Sequence, residues 1–232
     1  MKNVTHKVFH IESDSVRSEH VNKINDYLSE YSSELDTPTI KISNDKSYQK
    51  FCKSNPSFNV NPIGYNLDNE QGWRYGEIGI WASNWTAWNN FLNSDKDYLI
   101  LMEDDIIYTD NFIELLDKYI DQLPDNWDIF HFFSPADQFH KYNSIHNLPD
   151  KDVCSAYQDW SCLCYVITKE GARKLIQTSS EIRLPLDWHM FRQTHLFNIY
   201  TVKPTSEFAC DILKSESTFQ TKQKRSIING IF

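Results

Sequence analysis

The chain of 232 residues is long enough to bury a substantial hydrophobic core. Hydrophobic residues make up 40% of it and charged residues 24%, a balance that excludes a disordered chain. A formal net charge of −9 argues against nucleic acid as a partner, because phosphate binding requires a basic surface. Aromatic residues reach 14%, which suits a core and also the flat apolar surfaces of sugar- or base-binding sites.

The first part of the chain predicts the order strand, helix, strand. Residues 6–11 alternate in the manner of a strand, and Ser13 or Asp14 can cap a following helix. Residues 37–43 predict a second short strand. The inward face of the helix would carry Val16, Val21, Ile24 and Leu28. This β–α–β start predicts a parallel sheet with helices on its faces.

The rest of the chain continues this alternation. Residues 53–75, rich in Asn, Pro, Gly and aromatics, predict a long loop. Apolar spacing predicts a helix from residue 76, in which Trp81, Trp85 and Trp88 favour a place in the core over a sugar platform, and then a central strand within 97–105. It further predicts a helix at 110–124 capped by Asp110, a strand at 127–133, a strand at 159–168 with a helix directly after it, and a helix and last strand within 183–204. The sequence therefore predicts an α/β fold around one mostly parallel sheet, in a single domain over residues 1–232.

Three consecutive acids, Glu103, Asp104 and Asp105, directly follow the apolar run Leu99–Met102. In open α/β sheets, ligands bind beyond the carboxyl ends of the strands. Crowded carboxylates repel one another, and a divalent cation such as Mg²⁺ or Mn²⁺ would compensate their charge. Strand alternation would send Glu103 and Asp105 to one side and Asp104 to the other. A solvated acidic turn is the alternative, and the segment alone does not distinguish phosphatases, nucleases and nucleotide-sugar transferases.

The neighbouring segments resemble those of glycosyltransferase family 25, which includes lipopolysaccharide-type sugar transferases and collagen galactosyltransferases. Four segments carry the resemblance in order: GEIGIWASNWTAW (76–88), YLILMEDDI (98–106), YVITKEGARKLI (165–176) and PLDW (185–188). The resemblance covers roughly residues 6–190. Two positions depart from the family pattern, because Ile80 stands in place of the usual Cys and Asn84 in place of the usual His.

This resemblance implies a GT-A type fold, a Rossmann-like α/β/α sandwich that binds a UDP-sugar, with a divalent metal (Mn²⁺ or Mg²⁺) bridging the diphosphate to an acid-x-acid motif. Glu103 and Asp105 are then the predicted metal ligands, with Asp104 as a contact to the sugar or ribose. Arg17, just past the first strand, is predicted to pair with the diphosphate or to stack on the base, and an exposed charge on the helix is the alternative. Glu77 is predicted either to contact the donor or simply to cap its helix.

The resemblance also implies an inverting enzyme, and inversion in a single step requires a carboxylate that accepts the proton of the acceptor hydroxyl. Asp187 is predicted for this role, because a helix N-terminus favours an ionised Asp, and a simple helix cap is the alternative. His189 is a lesser candidate base. Three further side chains near loops or strand ends are predicted to stack on the acceptor: Trp73, Trp160 and Trp188.

The predicted function is transfer of a hexose, with galactose or glucose favoured, to a glycan or protein-linked acceptor hydroxyl. Residues 1–110 would form the nucleotide-sugar half and residues 111–232 the acceptor half, with a third metal contact expected in 206–218. The alternatives are a metal-dependent phosphoryl-transfer or hydrolytic enzyme and an inactive nucleotide-sugar-binding module. The five cysteines are expected to be free thiols, and the lack of a long apolar run predicts a cytoplasmic protein without a transmembrane segment.

Overall fold

The computed structural model describes residues 3–11, 15–61, 66–67, 70–71, 73–132, 148, 150–156, 162–193, 195–203, 206–207 and 210–212. The helices within these residues are α1 (Ser15–Ser29), α2 (Asp45–Ser54), α3 (Tyr75–Leu92), α4 (Phe112–Ile120), α5 (Lys169–Thr178) and α6 (Leu186–Arg192). The strands are β1 (Val4–Phe9), β2 (Ser33–Glu34), β3 (Asn66–Leu67), β4 (Glu70–Gln71), β5 (Tyr98–Glu103), β6 (Ile106–Tyr108), β7 (Ile129–His131), β8 (Val153–Ser155), β9 (Cys164–Thr168), β10 (Ile199–Val202) and β11 (Cys210–Ile212).

Seven of these strands form one sheet in the order β2-β1-β5-β9-β7-β10-β8. β1 is parallel to β2 and β5, and β10 is parallel to β7, whereas β9 is antiparallel to both β5 and β7 and β8 is antiparallel to β10. Five strands therefore run in one direction and two in the other, which confirms the predicted mostly parallel α/β sheet. Two small antiparallel sheets, β3–β4 and β6–β11, complete the described strands.

The central strand β5 divides the core into two layers because its side chains alternate between the two faces of the sheet. Leu99 and Leu101 pack on the face covered by α3, α5 and α6, and Ile100 and Met102 pack on the face covered by α1 and α4. All four side chains are almost completely buried, and burying a side chain of this kind contributes about 1.5–3 kcal/mol. This arrangement confirms the predicted α/β/α sandwich.

Helix α3 lies deep in the first of these layers. Its three tryptophans at helical spacing belong to the core, as predicted: Trp81, Trp85 and Trp88. Gly79 permits this close packing, since a Cβ at this position would lie 3.1 Å from the carbonyl oxygen of Ile40.

The tryptophans predicted to contact an acceptor have different outcomes. The prediction for Trp73 is wrong, because the indole is completely buried and donates from Nε1 to the carbonyl oxygen of Asn61 at 2.9 Å. Trp188 is half-buried, with the Arg192 guanidinium 4.3 Å from its ring centre. Trp160 lies outside the described residues.

The structure corrects several predicted elements between the first two large helices. No strand forms at 37–43, since the Ile40 N–H donates to the Ser83 hydroxyl at 2.8 Å and is not available to a ladder. The strand beside β1 is β2 instead, paired with Thr5 and His6. The predicted loop at 53–75 contains the end of α2 and the β3–β4 hairpin.

Two helices also differ from the prediction. Helix α2 was not predicted, although Asn44 and Ser47 form a capping box at its start. Asp110 was predicted to cap α4, but the helix begins one residue later, with Asn111 at the N-cap position.

Candidate active site

The acidic segment lies at the carboxyl edge of the sheet, between neighbouring strands. Phe9, at the end of β1, is in register with Glu103, at the end of β5, and the two strands are parallel. The Glu103 N–H donates to the carbonyl oxygen of Leu163 at 2.9 Å, just before β9. Residues that follow β1 and precede β9 therefore meet the acidic segment at one edge.

On the α1 side of this edge, the Asp104 carboxylate is held by two partners. Arg17 Nη1 donates to Asp104 Oδ1, and His10 Nδ1 lies 2.9 Å from Asp104 Oδ2. The other ring nitrogen of His10 lies 3.0 Å from the Ser18 hydroxyl. Both acceptor oxygens of Asp104 are therefore engaged, one by His10, just after β1, and the other by Arg17, in the first turn of α1.

Asp105 lies in a turn, because β5 ends at Glu103 and strand alternation does not continue. Its Oδ2 lies 3.9 Å from Arg17 Nη1, on the side of Asp104. Burial raises the pKa of Asp105, and the Arg17 charge opposes that rise. Its Oδ1 is buried and has no hydrogen-bond partner among the described residues. His20, whose charge also lowers this pKa, lies with Nε2 2.6 Å from the Ile106 carbonyl oxygen.

Glu103 belongs to the opposite face, the side of α3 and α6. Burial and, to a smaller extent, the negative charges of Asp105, Asp104 and Asp187 raise its pKa to about 8, against the opposing charge of Arg17. Asp187 reaches this edge from the first turn of α6, where its Oδ1 accepts from the Trp188 N–H at 2.8 Å. The fold thus brings Asp187 close to an acidic segment more than eighty residues earlier in the chain.

Glu77 acts as a helix cap at the start of α3. Its Oε2 accepts from the Arg74 N–H at 2.9 Å. Burial raises the pKa of Glu77, the contacts with Arg74 lower it, and the Asp187 charge raises it. The influence of Asp187 on both Glu77 and Glu103 indicates that its carboxylate lies near each of them. A donor contact for Glu77 stays a prediction.

A buried polar chain lines the α3 side of the site. The Tyr165 hydroxyl donates to Asn84 Oδ1 at 2.5 Å and accepts from Trp88 Nε1 at 3.1 Å. The Glu103 charge raises the pKa of Tyr165, which indicates that the phenol lies close to the carboxylate. Asn84, the position that departs from the family pattern, is therefore an internal partner of a residue beside the acidic segment.

The sequence did not identify His10, His20 or Tyr165 as members of this site. The signal for His10 was its place after β1, which adjoins β5 once the sheet order is known. His189, the lesser candidate base, lies in the core beside Trp81, and burial lowers its pKa to about 4. The segment at 206–218 lies largely outside the described residues, but β11 pairs with β6 and so returns the chain to the strand that follows Asp105.

The donor set fits a hard divalent cation in part. Among the described residues, no group of three or more His, Cys, Asp or Glu side chains could hold a metal ion. Glu103 and Asp105 nevertheless present carboxylate oxygens with poorly balanced charge, one of them the unpartnered Asp105 Oδ1. Such a pair suits Mg²⁺ or Mn²⁺, which takes its remaining ligands from phosphates and water.

Two other findings concern the described part of the chain as a whole. No helix in the described part of the chain is long and apolar enough to cross a membrane. The five cysteines are free thiols, and all except Cys52 are buried.

The amino-acid sequence is similar to those of several named relatives over part of its length. It is 30% identical over 114 residues to a procollagen lysyl hydroxylase and glycosyltransferase of Acanthamoeba polyphaga mimivirus, with 45% of the chain and 12% of the relative covered. It is 28% identical to human procollagen galactosyltransferase 2, with 44% and 16% covered. It is 26% identical to human inactive glycosyltransferase 25 family member 3, with 48% and 19% covered. The matched segments are thus less than a fifth of each of these relatives.

Among solved structures, a mutant of Drosophila β-1,4-galactosyltransferase 7 in complex with manganese, UDP-Gal and xylobiose aligns with 97% of the chain and 81% of its own, at 10% identity and a TM-score of 0.43. The profile of glycosyltransferase family 25 (LPS biosynthesis protein) matches residues 39–190, about two thirds of the chain. This match spans α2, α3, the acidic segment and Asp187. The chain therefore belongs to glycosyltransferase family 25.

Proposed function

We propose that the protein is an inverting, metal-dependent glycosyltransferase that moves a hexose, galactose or glucose, from a UDP-sugar to a hydroxyl of a glycan or protein-linked acceptor. One observation carries the proposal: Glu103, Asp105 and Asp187 converge at the carboxyl edge of the sheet, opposed by Arg17. Membership of the family supports the reaction class and disfavours the phosphoryl-transfer alternative. Both halves of the chain, residues 1–110 and 111–232, would act together as one domain.

The donor would bind along the acidic segment. Glu103 and Asp105 would hold a divalent cation, which stabilises the negative charge that grows on the departing diphosphate. Asp105 is the stronger of the two candidates, since its Oδ1 lacks a partner in the described part of the chain. Asp104 fixes Arg17 beside this position, so the guanidinium can face a diphosphate while Asp104 itself lines the sugar or ribose.

The acceptor hydroxyl would approach from the α6 side. Asp187 would accept its proton as the hydroxyl attacks the sugar, a role that contributes about 10²–10⁴-fold to the rates of enzymes. The first turn of α6 favours the ionised form of this carboxylate. The structural N-cap of α6 is Pro185, which leaves Asp187 inside the helix and weakens the alternative that it serves only as the cap.

Thermal denaturation with UDP or GDP, each with and without Mn²⁺, tests the donor site. UDP at about 100 times its dissociation constant should raise the melting temperature by about 5–10 °C, and only when Mn²⁺ is present. Asp105→Asn should abolish this shift, whereas Asp125→Asn, at an exposed turn, should not. A protein that responds to no nucleotide in the presence of metal would refute the proposal.

A catalytically inactive nucleotide-sugar-binding protein is the second candidate. Asn84 in place of the usual His of the family favours it, as do relatives that are named inactive. The two candidates differ in turnover: both bind UDP with Mn²⁺, but only the enzyme releases UDP from a UDP-sugar and acceptor. In the inactive protein, Asn84→His is the variant expected to gain activity.

A further inference from the structure

A second concave surface lies between α2, residues 56–59 and the end of α5. Its volume is about 740 Å³, within the range of about 300–1,000 Å³ typical of small-molecule sites. Trp85, which lines it, follows Glu77 by eight residues on α3, a distance of about 12 Å along the helix axis. The surface, called the side cleft below, is therefore separate from the acidic segment.

The floor of the side cleft is aromatic. Phe58 and Trp85 are buried and meet edge to face, with ring centres 5.9 Å apart. Tyr48 is half-buried, and its hydroxyl interacts with Cys52 and with the backbone of Val60, which fixes the ring at the floor. Tyr48 is the most exposed of the three rings, and an aromatic surface of this kind favours apolar contact with the face of a ring-shaped ligand.

The rim of the side cleft is polar but uncharged. Five exposed side chains carry amides or hydroxyls: Gln49, Ser57, Asn59, Gln177 and Ser180. In the part of the chain that the structure describes, none of these five is engaged in a side-chain hydrogen bond. Amide and hydroxyl groups both donate and accept, as sugar hydroxyls do. None of the eleven lining residues is charged, although the whole chain carries −9.

The two walls of the side cleft are tied together directly beside it. The Ile182 N–H donates to the Asn59 carbonyl oxygen at 2.8 Å, and the Asn61 N–H donates to the Ile182 carbonyl oxygen at 2.8 Å. Val60 and Ile182 form a parallel bridge between these bonds. The cleft is thus preformed, which lowers the entropic cost of binding a ligand.

We propose that the side cleft binds a neutral saccharide, which packs against the Tyr48 ring on the aromatic floor and exchanges hydrogen bonds with the amide and hydroxyl rim. An anionic or cationic ligand would find no opposite charge in the lining. A purely apolar ligand would leave the five polar side chains of the rim without compensation. The site does not depend on sugar transfer and would be present in a catalytically inactive protein as well.

A glycan array carrying neutral and acidic glycans, probed with the full chain in EDTA and without nucleotide, tests this proposal. The wild type should bind neutral glycans, and saturation-transfer-difference NMR should place the best neutral ligand on the protein. The double variant Asn59→Ala/Gln177→Ala should weaken this affinity about tenfold, since each lost hydrogen bond contributes modestly. Ser180→Trp, which fills the cleft from its rim, should abolish binding, and the exposed Asn126→Ala should leave it unchanged.

Binding of acidic glycans alone, binding of no glycan, or binding that is insensitive to both cleft variants would overturn the proposal. Loss of glycan binding in Asp105→Asn would also overturn it, because the ligand would then occupy the acidic edge. A dimer in sedimentation velocity that Ser180→Trp dissociates would identify a second copy as the occupant. Conversely, neutral-glycan binding in a protein that ignores UDP with Mn²⁺ would refute the transferase and leave the side cleft standing.

Discussion

Glu103 and Asp104 are neighbours in the sequence, yet they have opposite electrostatic surroundings. Asp104 meets the Arg17 guanidinium and a ring nitrogen of His10 on the α1 side. Glu103, on the other face, is close to two more carboxylates, those of Asp105 and Asp187. Because β5 ends at Glu103 and Asp104 lies in the turn that follows, a step of one residue exchanges a repulsive environment for a compensated one. Neighbouring acids can therefore differ in role: one carboxylate holds nearby side chains in place, and others keep a charge that a bound cation could compensate.

The first and largest effect should come from Asp105→Asn. Loss of one carboxylate charge from the proposed metal seat should lower the rate of sugar transfer roughly 1,000-fold, because metal ions contribute several kcal/mol to stabilising such transition states. Released UDP, measured at saturating donor, provides the readout. The unfolding free energy should change little, since Asp105 Oδ1 has no partner to lose among the described residues. Full activity in this variant would exclude Asp105 as a ligand.

Asp187→Asn should give the second effect, a fall in turnover of roughly 100-fold or more, because the amide cannot accept the proton of the acceptor hydroxyl. The Mn²⁺-dependent stabilisation by UDP should persist, since the donor seat is intact. This separation of binding from turnover distinguishes a base from a metal ligand. Parallel loss of both properties would instead assign Asp187 to the donor site.

Asp104→Ala should mainly lower the unfolding free energy, and its effect on the rate of sugar transfer is secondary. Its loss removes a largely buried ion pair with Arg17, which should cost about 2–4 kcal/mol of unfolding free energy. Urea denaturation in EDTA measures this difference. The matched variant Asp105→Ala should cost far less. Equal losses for both variants would show that Asp104 is no better compensated than Asp105.

The sequence predicted the central part of this contrast for a physical reason. An apolar run such as Leu99–Met102 reports burial on both faces, so the strand, its end and the acids beyond it could be placed from local pattern alone. The partners of those acids could not, because the pairing of β1 with β5 and the approach of α6 depend on tertiary contacts. His10 and Tyr165 became visible only with the sheet order.

Prediction from local sequence pattern also failed where hydrogen bonds between side chains and backbone groups determine the structure. Residues 37–43 have the composition of a strand, but the Ser83 hydroxyl takes the hydrogen bond of Ile40. Trp73 lies within the predicted loop and was predicted to stack on the acceptor, whereas the carbonyl oxygen of Asn61 accepts from its indole and allows the ring to be buried. Hydrogen bonds of this kind leave no periodic pattern in the amino-acid sequence.

A smaller effect is expected for Glu103→Gln in metal-free buffer. Burial and neighbouring carboxylates raise the pKa of Glu103 from 4.5 to about 8, so the fold favours its protonated form. The stability that this provides is complete below pH 4.5 and is lost as the pH rises toward 8. The neutral amide should therefore raise the unfolding free energy at pH 7 by about 1–2 kcal/mol, after allowance for the half-buried position. A destabilised variant would show that the charge is compensated.

The smallest effect concerns His189, which shares α6 with Asp187 but faces the core. Burial lowers its pKa from 6.5 to about 4, so the unfolded chain binds a proton first as the pH falls below 6.5. Stability should decline from this group between pH 6.5 and 4, by about 1 kcal/mol at pH 5.5. His189→Gln should reduce the difference in urea midpoints between pH 7.5 and 5.5, whereas the exposed control His195→Gln should not. If His189→Gln instead abolished turnover without changing the unfolding free energy, the base that α6 supplies would be His189, and Asp187 would contribute only its negative charge to the site.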